Sequence, residues 1–418
     1  MKYIKKIFCL ELFIFFIFII FSIYSYSHIF SHNLFSNYSY SELFINYQAG
    51  FVRRGLLGEL FWQIYENFKL DPKIFFGLIF YSLYLFQIYF LYVICKSYKS
   101  SIIFLLFIVF APQLILFPIY DYKVFFLKDI FSKFMIFFHG YLILKCNKSQ
   151  YLKLFKFLLL PLLTISILIH EYQILFLGIH ILISINFFKT NSEIKKILKY
   201  YLILAIPVLL IFFNLGNNEQ FNKLNEILII FNAEIHPQLS GGFKNLIGGF
   251  YKWHFYYFSY NDFVNFLISI ILSIFIPILI FVNLVESKVF ILSHNLKKNY
   301  FYFFFPTLIC FLALDHGRNI SLIANHIFIF YLTLNINKKN FLNIQKKIQG
   351  NITYVFLIIL LLIFYIFMWK LDQFAGFALQ GKDTSVLKSS LFAEITKFIK
   401  YTYYLIDLYY FDLPEIKL

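Results

Sequence analysis

Three arginines stand among 34 lysines in this 418-residue chain, and a guanidinium does what an ammonium cannot. It offers a planar fork of donors that grips a carboxylate or phosphate with two parallel bonds, whereas lysine presents a point charge. The scarcity therefore marks Arg53, Arg54 and Arg318 as positions where the fork is needed. Arg53 and Arg54 lie in Gly50-Phe51-Val52-Arg53-Arg54-Gly55-Leu56-Leu57-Gly58. Flanking glycines let a backbone approach a bulky anion, and a helix start adds unpaired amide donors, so the segment is expected to bind an anion. Adjacent helical residues diverge by about 100°, so one of the two arginines is expected to face the ligand. In the competing reading they touch lipid headgroups or pair with Glu42 or Glu59.

Two further groups carry chemistry. Asp315-His316-Gly317-Arg318 places an acid, an imidazole and a guanidinium together, suited either to catalysis or to an Asp315–Arg318 ion pair that seals a turn. His170-Glu171 follows thirteen apolar or small residues. Burial raises a carboxyl pKa and makes it usable as an acid or base; the alternative is an inter-helix hydrogen bond. Asp121 and Asp129, beside Lys123 and Lys128, fit a solvated loop better. No Asp-x-Asp or His-x-x-x-His pattern occurs, so neither a metal nor a cofactor is expected. The four cysteines show no paired spacing, which points away from a disulfide framework.

The elements that must hold these residues are set by a composition 61% hydrophobic and 14% charged. Apolar runs separated by short lysine-bearing stretches recur along the whole chain and cannot all enter one soluble core. They are long and unalternating, which excludes barrel strands and predicts an all-α, polytopic transmembrane helical bundle. Spans are expected near 7 to 30, 74 to 95, 101 to 117, 130 to 144, 157 to 169, 172 to 188, 200 to 213, 262 to 283, 300 to 314, 320 to 334 and 352 to 369, about eleven in all. The first follows Lys2, Lys5 and Lys6 and reads as a signal anchor with a cytoplasmic N-terminus. In that orientation the inner segments, 66 residues in total, hold 20 of the 37 basic residues, as the positive-inside rule requires. The same rule favours two short helices with a turn near His170 over one long helix from 157 to 188. The net charge of +16 is thereby accounted for, and no basic face interleaved with aromatics suggests nucleic acid.

Segments 31–73, 214–261 and 370–418 are long and fall on the outer side, where function is expected. Residues 1–369 form the bundle, and 370–418 are an extracytoplasmic amphipathic tail with a stripe of Leu387, Leu391, Ile395, Phe398 and Tyr401. Leu56 to Phe68 makes a second amphipathic helix, lying on the membrane surface or packed on the end of the bundle.

Gly-Phe-Val-Arg-Arg-Gly after the first span, His-Glu in a middle span and Asp-x-Gly-Arg in a late one resemble a family of bacterial polytopic membrane proteins. In layout the chain looks like O-antigen and capsule polymerases and, more distantly, C-type membrane glycosyltransferases. It differs from the latter in lacking paired acids in the first outer loop. The resemblance implies transfer of a glycan from a polyprenyl phosphate or diphosphate carrier to a sugar hydroxyl at the outer face of a bacterial inner membrane. Its partners would be the polyprenyl-linked glycan, membrane lipids and other glycan-assembly proteins. Arg53, Arg54 or Arg318 would hold the carrier phosphates. Glu171 or Asp315 would take the proton of the attacking hydroxyl, with His170 or His316 orienting it. Trp253, Tyr256 and Tyr257 would stack on sugar rings or anchor the interface. A transporter or flippase for lipid-linked sugars, and then a membrane acyltransferase, are the competing functions.

Overall fold

The computed structural model describes residues 42–97, 111–115, 117–120, 124–188, 190–214, 216–231, 260–277, 306, 316–334, 370–372 and 376–378, with scattered positions between 11 and 22. Among them the helices are α1 (Leu56–Phe68), α2 (Pro72–Ser97), α3 (Asp129–Lys145), α4 (Lys148–Ile169), α5 (Gln173–Phe187), α6 (Asn191–Phe213), α7 (Asn218–Leu228), α8 (Tyr260–Ile270) and α9 (His316–Leu334). Three of them, α2, α4 and α6, are long and apolar enough to cross a membrane, and α5 is a shorter apolar helix. The fold is therefore helical and membrane-associated, and α2, α3, α4, α5, α6, α8 and α9 overlap expected spans. Most of 7 to 30, 101 to 117, 300 to 314 and 352 to 369 lies outside the described residues. Residues 111–115, expected as the end of a span, form a turn.

Side-chain burial separates the helices into two kinds. On α6, Leu202, Ile206, Phe212 and Phe213 are all exposed, an apolar face that water would penalise and lipid would not. Helix α3 is the opposite case: Asp129, Ser132, Lys133 and His139 are buried together with its apolar residues. It packs against α2, α4, α5 and α9 and so runs through the middle of the described bundle. Gly140 allows this, since a Cβ there would lie 2.7 Å from Ile329 of α9.

Two helices widen where proline requires it. Phe155–Leu159 in α4 and Ile271–Phe275 after α8 are π-turns, each ending two residues before a proline, Pro161 and Pro277. A helical proline has no N–H for the carbonyl four residues back and its ring collides with that carbonyl, so the preceding turn opens. At the other end of the bundle from His170, Asn147 and Gln150 form a capping box on α4, and Lys148 pairs with Glu193 of α6 at 2.9 Å.

The turn expected near His170 is present. Helix α4 ends at Ile169, His170 has extended backbone (φ −152°, ψ 115°), and α5 begins at Gln173. Helix α1 has the expected bounds, Leu56–Phe68, and is packed rather than loose. Leu57 and Phe61 are buried while Leu60 and Phe68 are exposed, and Phe61 meets Phe44 and Phe76 at ring distances of 5.7 and 5.1 Å. The expected tail begins otherwise: Lys370–Asp372 and Gly376–Ala378 pair as a short antiparallel hairpin packed on α8 and α9. The stripe from Leu387 to Tyr401 lies outside the described residues.

Candidate functional site

The loop before α1 is held by close backbone packing. A Cβ on Gly58 would lie 2.1 Å from the Ile45 carbonyl oxygen, and one on Gly55 2.3 Å from the Tyr47 ring. Gly55 and Gly58 thus serve helix-to-loop contact. The contact fixes Arg53 and Arg54 at the start of α1. Arg54 has φ +64°, a left-handed conformation that costs a non-glycine residue roughly 1–3 kcal/mol and persists where surrounding contacts demand it.

Those contacts are ionic. Arg54 Nε bonds both oxygens of Glu171, at 2.8 and 2.7 Å, and Nη2 also reaches Glu171. Its Nη1 donates to Glu42 Oε1 at 2.5 Å, the pairing proposed as the alternative to anion binding. Arg53 Nη1 adds a bond of 3.2 Å to Glu171 Oε1. Lys128 Nζ donates to the Arg54 carbonyl at 2.7 Å. Glu59 is engaged elsewhere, accepting from the Tyr47 amide at 3.0 Å.

Arg318 builds the adjoining half from the first turn of α9. Its Nε donates to Asp129 Oδ2, and Nη2 donates to Asp129 Oδ1 at 3.0 Å and to His170 Nε2 at 2.9 Å. A guanidinium can only donate, so this contact requires a lone pair at His170 Nε2, while the Tyr172 amide lies 3.2 Å from Nδ1. Between the halves lies Tyr172, its ring centroid 5.7 Å from the Arg54 guanidinium carbon and 5.6 Å from that of Arg318. Lys133, one turn along α3 from Asp129, donates to Ser321 at 2.9 Å.

Three motifs separated by more than a hundred residues each thus meet at one place. It is also where α1, α3, α5 and α9 begin, so four positive helix ends add to the side-chain charge. Among the described residues, five cations (Arg53, Arg54, Lys128, Lys133, Arg318) face three carboxylates (Glu42, Asp129, Glu171), nearly all of them buried.

The field these charges make sets the protonation of the acids and the imidazole among them. Burial alone would raise the Glu42 carboxyl, but Arg54, supported by Lys128, holds it down at about 2. Burial opposes ionisation of Glu171 too, and Arg54 and Arg53 override it, keeping the group well below the carboxylate range. Burial and then Arg54 lower His170 to about 4. Glu171, expected to be a base of raised pKa, is therefore an ion-paired carboxylate here.

The chain matches no family model, no curated protein and no solved structure. The site is read from its own geometry. Of the residues singled out by sequence, Arg53, Arg54, His170, Glu171 and Arg318 come together. Asp315, Asp121, Trp253, Tyr256 and Tyr257 lie outside the described residues, as does the side chain of His316, whose backbone opens α9. Asp129, assigned to a solvated loop, is instead the buried partner of Arg318. Lys128, Lys133 and Tyr172 were not separable by pattern from ordinary loop and interface residues. No group of three or more His, Cys, Asp or Glu among the described residues is arranged to hold a metal ion.

Proposed function

We propose that the chain transfers a glycan from a polyprenyl phosphate or diphosphate carrier to a sugar hydroxyl, at the outer face of a bacterial inner membrane that it crosses about eleven times. The observation that supports this reading is the gathering of Arg53, Arg54, Lys128, Lys133 and Arg318 about three carboxylates, among the described residues, where four helices begin. A cluster of buried cations at helix starts is the environment that a phosphate or diphosphate suits. The carboxylate of Glu171 lies in the fork of Arg54 as one edge of a phosphate would. An incoming phosphate would compete for Arg54 and Arg53. Glu171, released from them, would regain basicity and take the proton of the acceptor hydroxyl, while the guanidiniums stabilise the departing phosphate. Arg53 is the fork with most to offer, because among the described residues its one side-chain bond to a carboxylate is the 3.2 Å contact with Glu171.

Purified protein in detergent, where no two sides exist to transport between, separates this from a flippase. With polyprenyl-diphosphate-linked glycan, released polyprenyl diphosphate and a lengthened glycan are expected. Movement of the lipid-linked glycan across vesicle membranes, with no product in detergent, would overturn the reading in favour of transport.

A further inference from the structure

A second polar system runs through the bundle and takes no part in the chemistry above. Gln173 stands at the start of α5, on the turn that carries His170 and Glu171. Its Nε2 lies 3.2 Å from His180 Nε2. His180 Nδ1 lies 2.9 Å from His139 Nδ1 on α3, and His139 Nε2 lies 2.7 Å from the Tyr151 hydroxyl on α4. Tyr151 is 2.8 Å from Ser184, and Ser184 is 3.0 Å from Tyr201 on α6. All but Tyr201 are nearly or wholly inaccessible, and Tyr201 is 7% exposed. Gln173, His180 and Ser184 share one face of α5, because seven and then four residues bring a helix round to the same side. The eleven helical steps from Gln173 to Ser184 span about 16 Å along the axis, roughly half a hydrocarbon core.

A packed helix bundle can be built from leucine and phenylalanine at less cost than from two histidines, two tyrosines, a serine and a glutamine. What distinguishes the arrangement is its donor order. Every link from His180 to Tyr201 joins groups that can both donate and accept, so that stretch is self-consistent in two directions. The Gln173 carboxamide, whose nitrogen only donates, must turn its oxygen to His180 in the second, and the Ser184 hydroxyl, which also reaches the His180 carbonyl at 3.1 Å, must turn from it in both. In one, His180 Nδ1–H donates to His139, His139 Nε2–H to Tyr151, Tyr151 to Ser184 and Ser184 to Tyr201. In the other, Tyr201 donates to Ser184, Ser184 to Tyr151, Tyr151 to His139 Nε2, and His139 Nδ1–H to His180. The two differ by the passage of one proton.

We propose that His180, His139, Tyr151, Ser184 and Tyr201 form a proton relay between the turn that carries the charged site and the end of the bundle where Lys148 pairs with Glu193. A proton taken at His180 Nε2 displaces the Nδ1 proton to His139. His139 passes its Nε2 proton to Tyr151, Tyr151 passes its own to Ser184 and Ser184 to Tyr201, which releases one. Each step breaks one N–H or O–H bond and forms another, and every group ends with the number of protons it began with. Rotation of rings and hydroxyls resets the order. The relay stands apart from the glycan-transfer reading, because it rests on a different set of side chains.

The test is proton flux into vesicles holding the purified full-length protein, with a pH-sensitive dye inside and the membrane potential clamped. Wild-type protein is expected to dissipate an imposed pH gradient well above the rate of protein-free vesicles. Tyr151→Phe keeps the ring and removes the bridging hydroxyl, so it should lower the excess flux about tenfold or more in folded protein. Ser184→Ala breaks the next link and carries the test if Tyr151→Phe does not fold. Wild-type flux equal to that of empty vesicles would overturn the relay. So would full flux in the folded variants, which would leave the network as inter-helix packing alone.

Discussion

Exchange of arginine for lysine separates two duties that the sequence leaves merged at Arg53 and Arg54. Arg54 serves two buried carboxylates at once, with Nε and Nη2 on Glu171 and Nη1 on Glu42. An ammonium at that position can reach one of them. Glu42 is fully buried and its Oε2 has no partner among the described residues, so loss of Nη1 strips it of its ion pair. Removing one partner of a buried pair costs about 3–5 kcal/mol. Arg53 gives Glu171 one bond of 3.2 Å, which a lysine can replace, so its exchange should cost about 1 kcal/mol or less in stability. Arg54→Lys is therefore expected to lower the melting temperature of the purified protein by several degrees, and Arg53→Lys to leave it within experimental scatter. Activity should divide differently. If Arg53 supplies the fork for the carrier phosphate, Arg53→Lys should reduce glycan product about tenfold to a hundredfold in folded protein. Arg54→Lys melting with wild type, or Arg53→Lys proving the less stable of the two, would refute this division of labour.

Two further outcomes follow from the same geometry. The Glu42 carboxyl is depressed from an ordinary 4.5 to about 2, and a depressed acid stabilises the fold above its unfolded pKa and loses that effect as pH falls through the folded one. Its contribution of about 3 kcal/mol should be complete above about pH 4.5 and fade toward pH 2, with Glu171 acting in the same direction. Melting temperature measured against pH should show this fall, and Glu42→Gln should flatten it; an equally steep fall in that variant would sink the assignment. Gly58→Ala should destabilise by about 1–3 kcal/mol, because its Cβ would meet the Ile45 backbone at 2.1 Å. A thermal melt unchanged from wild type would show that the loop yields freely.

Rarity made much of the site legible. With lysine so common, three arginines in short polar breaks were conspicuous, and His170-Glu171 stood out after thirteen apolar residues. The turn between α4 and α5 was readable because charge on the flanking segments has a preferred side. Asp129 was not, since an acid between Lys128 and Lys133 looks like any solvated loop until α9 brings Arg318 against it. The pKa of Glu171 was misjudged for a related reason: burial is visible in an apolar run, but the guanidiniums that overrule it come from 117 and 118 residues away. His139 and His180 each sit inside apolar helices, and that position was the available signal for the buried polar chain.

The distribution of ions over the helices constrains how a ligand can arrive. Helices α2, α4 and α6, whose composition suits lipid, carry exposed apolar side chains. Helices α3 and α9 carry Asp129, Lys133 and Arg318, and these are buried against neighbouring helices. A charged ligand entering sideways would have to cross the apolar rim, at a desolvation cost of several kcal/mol per ion. At the end where α1, α3, α5 and α9 begin, the described residues include instead the loop of residues 42–55, held by Phe44 in an aromatic cluster, by Tyr47 and Gln48 on Glu59, by Lys128 on the Arg54 carbonyl and by Arg54 itself. That loop contributes Glu42 and both arginines, so in the proposed reading the segment a phosphate would displace is the segment that would bind it. Binding and opening would then be one event: the ligand would replace Glu171 in the fork of Arg54, and the loop would lose one tie to the bundle as it gained another to the phosphate.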